Sequence, residues 1–188
     1  MSPPGNLYAS TLVRLRERDP PAPTLALAAG VALFDAVSPY LRRDDVVLKW
    51  PNDLLVGSRK LAGILLERVE AAVVIGIGAN LASHPQDVER PATSIAAEAS
   101  IAPPPDIFLA DLSQRFAVAL SRWRSGLAGI RDDWLARAHP IGTPLSTHDP
   151  LGGLLTGTFD GLDEKGACRL RLADGEVRLI HAGDLFLA

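Results

Sequence analysis

Val46 to Glu67 is the stretch that most narrowly limits how this chain folds, because apolar runs there are interrupted at fixed points by residues that end or turn a strand. Pro51 biases Trp50 toward an extended backbone, so Val46 to Trp50 is expected to run as a strand that stops where Asn52 and Asp53 turn the chain. Gly57-Ser58 reads as a tight turn. Lys60 to Glu67 then reads as a second strand, with Lys60, Ala62, Ile64 and Leu66 on one face and Gly63 on the other. A glycine inside a strand marks a bulge or a close approach by a ligand or another backbone. Two lysines, an amide and a carboxylate near one β-ribbon suit an anionic ligand whose charge changes during reaction. Asp53 could hold a metal ion or steer an incoming amine. The same residues could equally be solvated strand ends and a plain turn, and residue types alone leave both readings open.

At 188 residues the chain is long enough to bury a sizeable core in one domain, or in a larger one with a small appendage. Hydrophobic residues make up 47% and charged residues 22%, the balance of an ordinary globular protein. A net charge of −3 argues against nonspecific nucleic-acid binding. Cys168 is the single cysteine, so no intrachain disulfide forms. There is no recognisable signal peptide and no apolar run of membrane-spanning length, and a cytoplasmic location with no membrane partner is expected.

Leu7 to Leu15 reads as a buried strand, and Thr24 is expected to cap a packing helix to about Leu41, with an apolar stripe from Leu25 to Val37. Ala71 to Gly78 reads as a central strand. Gly76-Ile77-Gly78 resembles a dinucleotide fingerprint only superficially, since Leu81 replaces the third glycine. Ser94 is a candidate cap for a small helix, and Pro103 to Pro105 reads as a stiff linker. Helices are expected over about Ile107 to Trp123 and Ile130 to Ala138, with Trp123 and Trp134 as core or interface anchors rather than a base-stacking pair. The four histidines lack ligand spacing. Beyond His139, short alternating runs broken by glycines, with Asp174-Gly175 as a two-residue hairpin signal, suggest a small barrel.

Lys49-Trp50-Pro51-Asn52-Asp53 followed by Arg59-Lys60-Leu61-Ala62-Gly63-Ile64-Leu65-Leu66-Glu67 resembles the signature of biotin protein ligases. Gly5-Asn6-Leu7-Tyr8-Ala9-Ser10 before it and Val74-Ile75-Gly76-Ile77-Gly78-Ala79-Asn80-Leu81 after it match in the same order, and the resemblance covers nearly the whole chain. It implies an α+β fold, a mixed β-sheet packed with helices over residues 1–138, followed by a Src-homology-3-like β-barrel over 139–188. In the family further strands and a loop rich in glycine and arginine precede the first strand here, so the catalytic core is expected to be N-terminally truncated and its activity impaired. An edge strand left open would favour association, including a homodimer.

The chemistry that the resemblance implies is ATP-dependent formation of biotinyl-adenylate and transfer of biotin to a lysine of a carboxylase's biotin carboxyl carrier domain, with Mg²⁺. Lys60 corresponds to the lysine that contacts the biotin carboxylate and the bridging phosphate. Gly63 and Ile64 correspond to the wall beside biotin. Asn52, Asn80 and, less directly, Lys49 correspond to the nucleotide site. Asp53 corresponds to a site carboxylate that either holds Mg²⁺ or orients the acceptor lysine. A noncatalytic adenylate- or carrier-binding remnant is the alternative, with a lipoate-handling enzyme disfavoured by the Lys-Trp-Pro-Asn-Asp run. No helix-turn-helix precedes the core, so no DNA-binding domain is expected.

Overall fold

The computed structural model describes residues 3–148, 153–181, 183 and 185–187. Its first layer is a five-stranded sheet in the order β1-β5-β4-β3-β2, built from β1 (Leu7–Arg14), β2 (Val46–Lys49), β3 (Asp53–Val56), β4 (Arg59–Val69) and β5 (Ala72–Ala79). Every described ladder is antiparallel. The sheet expected to be mixed therefore shows parallel pairing only as two single bridges, Leu48 with Ala138 and Lys60 with Ala92. Asn52 ends the turn rather than β2, and Asp53 opens β3, so the ribbon is two successive hairpins. The Trp50–Pro51 peptide bond is cis.

Helices cover one face of this sheet. α1 (Leu25–Val37) is shorter than expected, and all its residues but Asp35 are buried, so the expected stripe is in fact a helix enclosed on all sides. The reason is its place between two layers: it packs on β2, β3 and β4 below and on α3 (Pro105–Arg124) and α4 (Leu127–Leu135) above. Its small residues allow close approach; a Cβ on Gly30 would stand 3.3 Å from Leu48 Cδ2 and 3.4 Å from Trp134 Nε1. Thr24 makes no side-chain cap. It lies in a 3-10 turn, donates to Pro21 O at 2.6 Å and accepts from the fully buried Trp123 Nε1 at 2.8 Å. Trp123 and Trp134 are core residues, as expected. Pro104 and Pro105 start α3 directly, where a missing N–H costs nothing. Ser94 does cap the short α2 (Ile95–Ala99), accepting from Ala97 N at 3.3 Å.

β1 is an edge strand with its middle exposed, unlike the buried strand expected, because only β5 pairs with it among the described residues. β5 is flanked on both sides, as expected of a central strand.

A second antiparallel sheet follows in the order β10-β6-β7-β8-β9: β6 (Pro144–His148), β7 (Leu154–Leu162), β8 (Cys168–Arg171), β9 (Val177–Ile180) and β10 (Phe186–Leu187). Its strands all follow Ala138, the observation on which the proposed division into 1–138 and 139–188 rests. These are the short antiparallel strands expected of the small barrel, with β9 and β10 at the two ends of the strand order among the described residues. The Asp174-Gly175 turn is one residue longer than expected. Leu172 accepts from Gly175 N and donates to Glu176 O, and only Gly175 has positive φ, which makes a three-residue loop with a glycine bulge. No described helix is long and apolar enough to cross a membrane.

Candidate functional site

One register row crosses all five strands of the first sheet: Tyr8 opposite Gly78, Gly78 opposite Gly63, Gly63 opposite Asp53, and Asp53 opposite Lys49. Cross-strand partners share a face. The neighbouring row, Leu7–Ala79–Ala62–Leu54–Leu48, is the core row, and each of its residues is at most 4% exposed. The first row therefore lies on the face opposite the helices. Ser10, Gly76 and Leu65 form the next row on that open face. Three glycines, 63, 76 and 78, remove the side chains that would fill it, and a trough of about 500 Å³ results, bordered by Tyr8, Ser10, Asn52, Lys60, Gly63 and Leu65.

Lys60 reaches this trough through a bulge. Leu55 pairs with Lys60 and Leu54 with Ala62, so Leu61 is the extra residue. Strict alternation would put Lys60 and Gly63 on opposite faces, as the sequence suggested. The added residue reverses that parity and brings them together: a Cβ on Gly63 would lie 3.1 Å from both Cε and Nζ of Lys60. Leu61 and Ala62 are both buried, which anchors the bulge in the core.

Asp53, 4% exposed, sits between two ammonium groups. Its Oδ2 is 3.2 Å from Lys49 Nζ, and its Oδ1 pairs with Lys60 Nζ. Oδ1 has no hydrogen bond of regular geometry among the described residues, so its tie to Lys60 is one of charge. Lys49 is itself buried and donates to Leu185 O at 2.9 Å, so its ammonium holds the second sheet instead of facing the trough. Trp50 Nε1 makes a parallel tie to Gly166 O at 3.1 Å. Behind Lys49, burial and then the Lys49 charge hold the His139 imidazole below its ordinary value of 6.5.

The remaining expected site residues frame the trough. Asn52 Nδ2 donates to Ile64 O at 2.7 Å while Ile64 N donates to Asn52 O at 2.9 Å, a reciprocal clasp that extends the β3–β4 ladder. Ile64 pairs with Ile77 on the core side and is 4% exposed, so its side chain turns away from the face that carries Lys60. Asn80 Nδ2 donates to Thr93 O at 3.0 Å at the far end, where a second cleft of about 320 Å³ is bordered by Tyr8, Lys60, Asn80 and Arg90. Tyr8 and Arg90 were not singled out from the sequence. The Arg90 guanidinium lies 4.6 Å from the centre of the Phe186 ring, so a core loop meets the last strand of the second sheet beside Lys60. The signal for Tyr8 is the i, i+2 spacing of Gly76 and Gly78, which leaves room opposite Tyr8 and Ser10.

Asn6, from the early match, fixes the loop after β5. Its Oδ1 accepts from the backbone N–H groups of Leu81, Ala82 and Ser83, and its Nδ2 donates to Ser83 O. Gly5, at φ 87°, has to be glycine, because a Cβ there would stand 2.8 Å from that of Ala82. As for Mg²⁺, both oxygens of Asp53 face ammonium groups, and no group of three or more His, Cys, Asp or Glu comes together among the described residues. This donor set does not fit a metal ion held by the protein.

Residues 1–80 match the Biotin/lipoate A/B protein ligase family. The chain is 34% identical to the biotin–[acetyl-CoA-carboxylase] ligase of Paracoccus denitrificans, over 98% of this chain and 81% of that protein. It is 32% identical to the enzyme of the same name from Mycobacterium tuberculosis, over 86% of this chain but 61% of that protein's length. The biotin protein ligase of Aquifex aeolicus, solved in complex with biotin and ATP, shares the fold with a TM-score of 0.83 at 22% identity, covering 98% of this chain and 79% of that one. With its signature lysine, aspartate and glycines gathered on one open sheet face, the chain belongs to the biotin protein ligase family.

Proposed function

We propose that the trough binds biotin and receives ATP beside it, that the chain joins them as biotinyl-adenylate, and that it passes biotin to a lysine of a carboxylase carrier domain. The observation that carries this reading is the bulge that sets the Lys60 ammonium over the glycine floor. The names of the relatives, and the biotin and ATP in the Aquifex complex, support the choice of substrates.

In the first step a biotin carboxylate oxygen attacks the α-phosphate and the bond to the pyrophosphate oxygen breaks. Two anions must come together, and an ammonium placed beside them lowers that cost and stabilises charge on the transferring group. Lys60 is 40% exposed, so it can turn from Asp53 to such a ligand without unfolding anything. Asn52 and Asn80 brace the two ends of the trough, and we assign the nucleotide to the Asn80 end. In the second step the acceptor amine attacks the acyl carbonyl, AMP leaves, and the amine loses a proton. Asp53 Oδ1, which lacks a regular hydrogen bond and would lie 3.6 Å from a Gly63 Cβ, is the group we assign to orient that amine.

The test is avidin detection of a carrier domain incubated with the protein, biotin and ATP, together with release of pyrophosphate. Lys60→Ala should abolish both signals, whereas Lys165→Ala, an exposed change in the turn between β7 and β8, should leave them. Equal signals from the two variants would overturn the assignment of Lys60. Biotin binding with no label transferred would favour the noncatalytic reading.

A further inference from the structure

We infer that Glu98, which lies outside the trough, is the positioning residue for Lys60. The inference deepens the proposed function, since it rests on Lys60 meeting the ligand. Lys60 lies beyond the reach of β5, whose last pair with β4 is Ala62 with Ala79. On its other side the ladder to β3 is interrupted by the bulge. Its free backbone edge is completed by the loop segment 91–93: Lys60 N donates to Pro91 O at 2.8 Å, and Lys60 O accepts from Thr93 N at 2.9 Å. This segment therefore sets the direction in which Lys60 leaves the strand.

Glu98 fixes the segment. Thr93, fully buried, donates its hydroxyl to Glu98 Oε1, and Arg59 Nη2 pairs with the same carboxylate at 2.8 Å. Arg59 is the residue before Lys60, so Arg59, Glu98, Thr93 and Lys60 close a ring that spans β4, the loop and α2. Glu98 is 17% exposed and Arg59 49% exposed. A half-exposed ion pair contributes little to global stability. Misplacing a charged group by about 1 Å, in contrast, can reduce a reaction about a hundredfold. Removing Glu98 also leaves the buried Thr93 hydroxyl without its acceptor, a loss that falls on segment 91–93 and hence on Lys60 rather than on the ladders of the sheet.

Two measurements on the full chain test this, with Glu98→Ala and the isosteric Glu98→Gln, which keeps an acceptor for the Thr93 hydroxyl. In hydrogen exchange, Glu98→Ala should speed exchange at the amides of Lys60 and Thr93 while leaving Leu65 and Ile75 in the ladder protected, with Glu98→Gln between it and the wild type. In calorimetry with biotin, Glu98→Ala should weaken binding about tenfold in the wild-type background and not at all in Lys60→Ala, with Glu98→Gln recovering part of the loss. Unchanged exchange at Lys60 and Thr93, or an equal loss of affinity in both backgrounds, overturns the inference. If Lys60→Ala leaves biotin binding unaltered, the proposed ligand fails instead, and the exchange experiment alone decides the role of Glu98.

Discussion

Replacing Asp53 with Asn should destabilise the protein much more than replacing Lys49 with Met, although the two residues form one ion pair. Lys49 and Asp53 side chains are 8% and 4% exposed, with 3.2 Å between their charged atoms. At an effective dielectric of about 20, that separation corresponds to an attraction of about 5 kcal/mol, offset in part by the cost of burying both ions. In Asp53→Asn the Lys49 ammonium stays buried with the Leu185 carbonyl and a neutral amide, while Lys60 loses its counter-charge. Leaving one buried charge unpaired costs about 3–5 kcal/mol. The Lys60 contribution is small because that side chain is 40% exposed. In Lys49→Met the carboxylate keeps Lys60 and the apolar stem is replaced by one of similar shape, for a loss of about 1–2 kcal/mol. Urea titration reads the difference as a lower midpoint at constant slope, and a loss of about 3 kcal/mol lowers the melting temperature by roughly 6–12 °C for a chain of this size. Equal losses in the two variants, or a loss under about 1 kcal/mol for Asp53→Asn, would refute the view that this carboxylate is the hub of the row.

Gly63→Ala should fold with a stability change within about 1 kcal/mol, because the new methyl meets the flexible end of Lys60 at 3.1 Å and no backbone. It should nevertheless displace Lys60 and weaken biotin binding at least about tenfold, and unchanged affinity by calorimetry would count against the trough as the ligand site. His139 gives a pH dependence of definite sign. Burial and Lys49 lower its folded-state pKa, so below about pH 6.5 the unfolded chain takes up a proton that the folded chain refuses. Stability from this group is complete above that value and declines as pH falls toward the folded value, by at most about 1.4 kcal/mol per pH unit. The urea midpoint of wild type should therefore drop more between pH 7.5 and 5.5 than that of His139→Asn. A parallel decline in both proteins would rule out His139 as its source.

How far the sequence reveals this fold depends on the range of the interaction. The turns near Pro51-Asn52 and at Gly57-Ser58 are legible because each turn residue acts within a few positions, whereas the four-residue strand β3 between them is not. The strand at β5 and the helices α3 and α4 are legible from composition and period. The relation between Lys60 and Gly63 is not, because it turns on one extra residue. Leu61-Ala62 is apolar at both positions, so a bulge there leaves no break in the pattern, yet it exchanges the faces of everything before it. The enclosure of α1 is hidden for a related reason: whether a small apolar helix shows one buried side or all of them is decided by α3 and α4, far along the chain. The row from Tyr8 to Lys49 needs four strand pairings at once, and no local window contains it.

The same row explains why the signature combines residues of such different burial. Lys49 and Trp50 hold the second sheet through Leu185 and Gly166, whereas Lys60 and Gly63 line the trough, and Asp53 is the single carboxylate between the two groups. Two cations share one anion. A ligand carboxylate or phosphate that drew Lys60 away would leave Lys49 as the sole counter-charge of Asp53, which is buried. On the proposed reading, a ligand in the trough would thus act on the attachment of the second sheet through shared charge, while the bulge at Leu61 and the clasp at Asn52 fix the backbone on which these side chains stand.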